Sequence, residues 1–387
     1  MIARRGRAPR PVWPALAVAV CALSACAPSA RVDQATAGTN AVATALARPT
    51  PTPPLASPAA GTNVYASTIS GELNPTVADI PPRVYVPNSS TNTVTVIDPL
   101  TMSVIKQLQV GRIPEHIAPA YDLSKLYIDS EGAWRLEVLD PRTSTVTDSI
   151  PVNDPYNLYF TPDGTKAIVV QENLRTLEFR DLSTWQVLGH VPMEVRGADH
   201  LDFSADGRYV LVTLEFTGVV AKVDITAMSV VGYLLIGGLP IDVRLSPDAS
   251  VFFIANQGRN GVSVVDPVAM KELGFIPTGR GAHGLYISRD TRSLYVTNRL
   301  AGSISVIDIA TRTVSATWHV GGSPDMMQLN PDGSQLWVSS RFDGRVMVVD
   351  TSTGTVLNSI YCGPGAHGLT YFPAPGLHSL GHNGVYR

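Results

Sequence analysis

The stretch HGLYISRDTRSLYVTNRLAGSISVID, residues 283 to 308, decides the fold. It reads as three short strands in succession. The apolar run Leu285, Tyr286 and Ile287 meets a turn at Arg289 and Asp290. The run Tyr295, Val296, Thr297 and Asn298 leads into a polar loop, and Ser303 to Asp308 ends on an aspartate. Almost everything between residues 83 and 373 is a variation on this pattern, with no helical periodicity of useful length, so the chain is all-β.

The closing aspartate sets the period. Strands end at Asp98, Asp140, Asp181, Asp224, Asp266, Asp308 and Asp350, at spacings of 42, 41, 43, 42, 42 and 42 residues. Seven units of that length, each with room for four short antiparallel strands a to d, predict a seven-bladed β-propeller. The aspartates themselves read as turn residues, whose carboxylates accept backbone N–H groups two residues on.

The first unit starts at strand b (Arg83 to Pro87), and the last stops after strand a (His367 to Phe372). The N-terminal strands b, c and d should therefore close the ring with the C-terminal strand a, which removes an open sheet edge. The apolar column Ile117, Leu158, Leu201, Val243, Leu285, Met327 and Leu369 is expected to form the core between blades.

In these strand motifs the chain resembles the YVTN-repeat propellers of bacterial and archaeal surface and exported proteins. Tyr295 to Asn298 and Ser305 to Asp308 are nearly that family's consensus, and Tyr85-Val86-Pro87-Asn88 is close to it. Phe253 to Asn256 and Trp337 to Ser340 depart further, and the units at Val169 and Val210 hold mainly by spacing. Relatives by fold include lactonases and single-stranded-DNA binders.

The N-terminus carries Arg4, Arg5, Arg7 and Arg10 before the apolar run Val12 to Leu23, which is too short to span a bilayer as a mature helix. This reads as a signal peptide, residues 1–25. Leu23-Ser24-Ala25-Cys26 resembles the lipobox of bacterial lipoproteins, which implies lipidation at Cys26. The expectation is a cell-envelope protein outside the cytoplasm, with the membrane as a partner through that lipid.

Residues 26–80 are rich in Ala, Thr, Pro and Ser and read as an extended tether, whose end, Val64 to Ile80, is placed to pack on the domain. The propeller then occupies residues 81–373, and residues 374–387 form a tail. Loss of residues 1–25 removes four Arg and no acid, leaving 25 Lys and Arg against 32 Asp and Glu, a net of −7. That sign does not suit nucleic acid, and none is expected as a partner. Cys362 is the one further thiol and has no intrachain partner.

Strand order sorts the loops onto two faces, and the d–a loops deliver their last residues to the mouth of the central channel. One column reads Glu115, Tyr156, Asp199, Ile241, His283, Asp325 and His367. The next reads His116, Asn157, His200, Asp242, Gly284, Met326 and Gly368. Converging imidazoles and carboxylates suit Cu or Zn, so His116, His200, His283, His367, Asp199 and Asp325 are the candidate metal ligands. Cys362, five residues before His367, stands near enough to add a soft ligand, although a lone cysteine usually packs as a small hydrophobe.

Glu115, Asn157, Asp242, Arg280, Arg299 and Arg341 are the candidates for binding a small ligand. Glu131, Trp134, Arg175, Arg259 and Phe342 share the b–c loops on that face. A hydrated funnel lining without chemistry is the plain alternative. His378 and His382 in the tail begin on the opposite face, which the tail is expected to cover; eight extended residues, about 26 Å, would let it thread the channel instead. No nucleophile elbow, phosphate loop or His-Glu-x-x-His motif is present.

Two functions follow from this reading. One is a lipid-anchored module that binds a protein or small molecule through the channel-mouth face. The other is a Cu- or Zn-dependent oxidoreductase or hydrolase.

Overall fold

The computed structural model describes residues 63–382 and 385–387. The expected signal peptide, Cys26 and most of the expected tether lie outside them. Seven four-stranded antiparallel sheets form seven blades. Blade 1 joins Arg83–Asn88, Thr93–Asp98 and Ser103–Gln109 to Thr370–Phe372, with Arg83 opposite Phe372, so the ring closes by the predicted exchange of ends. Blades 2 to 7 follow in chain order, with inner strands Pro114–Pro119, Asn157–Phe160, Ala198–Phe203, Pro240–Leu245, Ala282–Ile287 and Pro324–Leu329.

Burial falls off along the radius of each blade. Inner strands such as Ala282–Ile287 are buried throughout, whereas the outer strand Thr313–His319 is mostly exposed. The cause is that both faces of an inner strand are covered by neighbouring blades, while the outer edge meets solvent and carries the charge and polarity that blunt edge pairing. The predicted apolar column from Ile117 round to Leu369 is fully buried. At about 25 cal/mol per Å² of apolar surface, this column is the main attraction between sheets.

The seven aspartates cap the turns after strand c. Asp308 Oδ1 accepts the Thr311 N–H at 2.7 Å, and Asp98 Oδ1 accepts that of Leu100 at 2.9 Å. The a–b turns repeat a second device: Ser288 Oγ donates to Asp290 and accepts the Ser293 N–H, as Ser246 and Ser204 do in their blades.

The segment from residue 63 to 82 packs along the face that holds the a–b turns. Tyr65 donates to the Leu245 carbonyl at 2.9 Å, Asn63 to Thr291, and Val77 and Ile80 are buried beside Tyr85. Among the described residues, no helix is long and apolar enough to cross a membrane.

Candidate functional site

The inner strands do not run straight into the channel mouth. In blade 6, Ala282 pairs with Asn298 and Leu285 with Val296, so His283 and Gly284 together oppose the single residue Thr297. The same two-against-one shift falls at Glu115 and His116, Asp199 and His200, Ile241 and Asp242, and Asp325 and Met326. In blade 1, Ala366 bridges Asn88, and His367 and Gly368 occupy the same place.

A bulge of this kind leaves the extra residue unpaired and bends the strand. The two columns read from the sequence are therefore the bulged positions of six blades. The hydroxyl of Thr297 fills the gap, accepting the Gly284 N–H at 2.7 Å and donating to the Asp325 carbonyl of the next blade at 2.6 Å.

These bulges floor a cavity of about 300 Å³ at the channel mouth, lined by Glu115, Glu131, Tyr156, Glu172, Asp199, Glu215, His283, Arg299, Arg341 and His367. Its rim is a further column, the residue that follows strand b: Ser89, Glu131, Glu172, Glu215, Gln257, Arg299 and Arg341 in ring order. Carboxylates of blades 2 to 4 thus face guanidinium groups of blades 6 and 7 across one opening. Burial, reinforced by neighbouring carboxylates, pushes Glu131, Glu172 and Glu215 each up to about 8. Glu115 is pushed up to about 7 by burial, against the pull of Arg341.

On the cationic side the floor is already cross-linked. Arg299 Nη2 contacts both Asp325 Oδ1 and His283 Nε2, and His283 Nδ1 lies 2.9 Å from Asp325 Oδ1. Arg341 Nη2 lies 3.4 Å from Glu115 Oε2, which also meets His367 Nδ1, and His367 Nε2 is 3.7 Å from Asp325 Oδ2. Burial alone would raise Asp325, but Arg299, His283 and His367 hold it well below the usual carboxylate range. Burial depresses both imidazoles, His283 to about 4 and His367 well below its ordinary value.

The six predicted metal ligands therefore divide. His283, His367 and Asp325 belong to the arginine-linked floor. His116 and His200 lie deeper and meet a third imidazole, His382, with ring centroids 4.1 Å from His116 and 4.5 Å from His200. Asp199 stands against His200, Oδ1 to Nδ1 at 2.9 Å.

Among the other candidates, Glu115, Arg299 and Arg341 line the cavity. Asn157 donates to the Asp199 carbonyl at 2.9 Å, and Asp242 accepts the Leu285 N–H at 2.8 Å beside Arg244, so both act as links between blades. Arg280 is exposed and, among the described residues, donates to the Leu300 carbonyl alone. Cys362 sits in an apolar cluster with Val346 and Ile360, and burial pushes its thiol up to about 12, so it does not join the imidazoles.

The tail corrects one expectation. It covers the far face, where His378 stacks on Tyr121 at 4.4 Å, but it also turns into the channel. Phe160 N–H donates to the Leu380 carbonyl at 3.0 Å, Gly381 bridges Tyr159, and His382 is fully buried. The physical reason is that the inner strands leave an axial gap that buried apolar side chains such as Leu380 and Tyr386 fill. Glu172 and Glu215 were not among the candidates; reading the 42-residue column one position past strand b would have found them.

The architecture resembles solved structures at identities that speak for the fold alone. Hydrazine synthase of Kuenenia stuttgartiensis is 18% identical, with a TM-score of 0.58 over 65% of this chain and 87% of that one. A functionally unknown protein of Desulfotomaculum acetoxidans is 17% identical, with a TM-score of 0.65 over 75% and 98%. The dihydro-heme d1 dehydrogenase NirN is 17% identical, with a TM-score of 0.56 over 76% and 75%. No curated protein matches the sequence. The family model for YNCE-like beta-propellers matches residues 57–375, and the chain belongs to that family.

Proposed function

We propose that this protein is an exported propeller, anchored by a lipid on Cys26, that binds a small molecule carrying both a cationic and an anionic group in the channel-mouth cavity. The observation that carries the reading is the opposition of charge around that one cavity, Glu131, Glu172 and Glu215 against Arg299 and Arg341. Carboxyls raised to about 8 are mostly protonated at neutral pH; an incoming ammonium group favours their ionised form, and the protons they release go to solvent. The guanidinium groups, each with donors beyond those used on the floor, receive a carboxylate. A cavity of about 300 Å³ suits an amino-acid-sized ligand.

Thermal-shift and calorimetric titrations with L-lysine, putrescine and succinate test the reading. L-lysine is expected to stabilise the chain more than either single-sign probe, by about 2.7 kcal/mol at a hundredfold excess over Kd. Glu172→Gln and Arg341→Ala should each weaken binding at least tenfold. Binding should tighten from pH 6.5 to 8.5, because the glutamates lose protons through about 8 while the ligand ammonium stays charged. No shift with any probe, or equal shifts in both variants and the parent, refutes the ligand reading. Anchoring is tested separately by fractionation, where a Cys26→Ser chain is expected in the soluble fraction.

A further inference from the structure

We propose that His116, His200 and His382 form a buried three-imidazole site for a Zn²⁺ or copper ion, completed by the C-terminal tail. The three rings come from three separate elements: the bulge of blade 2, the bulge of blade 4 and the tail. All are fully buried, and one nitrogen from each falls within 4.8 Å of the others. Three nitrogens bound at about 2.0–2.1 Å to one tetrahedral ion stand about 3.4 Å apart, so closing of little more than an ångström completes the site.

The unpaired polar atoms of these rings point the same way. Both ring nitrogens of His116, of His200 and of His382 are buried and have no hydrogen-bond partner among the described residues. A buried donor or acceptor left unpaired costs about 1–3 kcal/mol, and a cluster of six such nitrogens is not a packing solution. An ion turns three of those nitrogens into ligands. Burial depresses all three imidazoles, which keeps them in the neutral, coordinating form. Asp199 Oδ1 lies 2.9 Å from His200 Nδ1, close enough for a small turn of the ring to let that carboxyl orient it.

The backbone is built around these rings. A Cβ on Gly368 would lie 2.0 Å from His116 Nδ1, and one on Gly381 would lie 2.3 Å from the Leu158 carbonyl. Glycine at 368 therefore leaves the volume of the His116 ring, and glycine at 381, at φ 105°, lets the tail pass against blade 3. His116 also packs 4.5 Å from His367 and 5.4 Å from Tyr156, both of which line the mouth cavity, so a fourth coordination position would open toward that cavity. The donor set, imidazole without thiolate or a carboxylate pair, favours zinc or copper over magnesium or calcium.

The full chain is stripped with a chelator, dialysed against Zn²⁺ or Cu²⁺, and its metal measured by mass spectrometry. About one equivalent of one of the two ions is expected, with imidazole scattering in the K-edge absorption spectrum of the parent chain. His382→Ala should weaken binding on the order of 100-fold and abolish the metal-dependent rise in Tm, while its metal-free circular dichroism stays that of the parent. His283→Ala should bind metal as the parent does.

Uptake below about 0.1 equivalent of both ions overturns the site. So does retention of metal in His382→Ala, or its loss in His283→Ala alone. The absorption spectrum of the parent decides the case if a variant fails to fold, since a spectrum without imidazole scattering is equally fatal. None of these outcomes depends on what the mouth cavity binds.

Discussion

The hydroxyl of Thr297 works in two directions, closing the bulge of its own blade and holding the carbonyl of the next. Thr213 repeats this, accepting the His200 N–H at 3.1 Å and donating to the Ile241 carbonyl at 2.6 Å, and Ser339 bonds both backbone groups of Met326. Asn298, the next residue, donates to Ser303 and Ser305 and so ties strand b to strand c. The pair Thr297-Asn298 is thus a staple, and its replacement has a calculable cost. Thr297→Val, which keeps shape and removes both bonds, is expected to lower stability by about 1–3 kcal/mol in chemical denaturation.

In blade 2 the threonine's place is taken by Asp129, fully buried, with neither carboxyl oxygen partnered among the described residues; burial pushes it well above the usual range. Asp129→Thr restores the hydroxyl and should raise stability by about 1 kcal/mol, read as an increase in Tm. A decrease would show that the acid has a role the staple does not.

At the scale of the element, the bulged inner strand and the C-terminal tail each solve one problem. In six blades the bulge places two residues at the channel mouth without breaking the ladder that holds the blade. The tail fills the axial gap and is pinned at its last residue, where Arg387 Nη2 meets Asp202 Oδ1 at 2.8 Å and the Phe203 carbonyl at 3.1 Å. Asp202 is almost completely buried and also accepts the Leu245 N–H.

Removing one partner of such a pair leaves a buried charge, so Arg387→Ala should cost about 3 kcal/mol. The loss should concentrate in the tail. Amide exchange at Leu380, whose N–H donates to Val385, is expected to accelerate far more than at Val296 in strand b of blade 6.

Over the whole molecule, stability and charge meet at the rim. Glu131, Glu172 and Glu215 titrate near 8 in the folded chain and near 4.5 when unfolded. Between those values the folded state keeps protons the unfolded state has released. Their contribution is therefore present at low pH and is lost as pH rises through about 8. The buried histidines act oppositely, because their folded values are depressed, but that effect is complete above about 6.5, where imidazole is neutral in both states. Between pH 6.5 and 8 the ligand-free chain should lose several °C in Tm, and a Glu131→Gln/Glu172→Gln/Glu215→Gln variant should show a flatter profile by scanning calorimetry. An unchanged slope would place these carboxyls in an ordinary solvated environment.

Seven blades, their strand order, the turn aspartates, the apolar column and the exchange of ends were all legible in the sequence, because each depends on local periodicity repeated at a fixed spacing. The two bulged columns were legible for the same reason: residues about 42 apart in a ring of equal units must meet at one axis. What the repeat does not determine is how far each column lies along the axis, or which neighbours claim a side chain. Arg299 and Arg341 draw His283 and His367 into an ion-paired floor, a pairing set by the depth of the b–c loops. His382 belongs to no repeat, so no spacing predicts it. Only the packing of the tail into a gap left by seven converging strands brings it to His116 and His200.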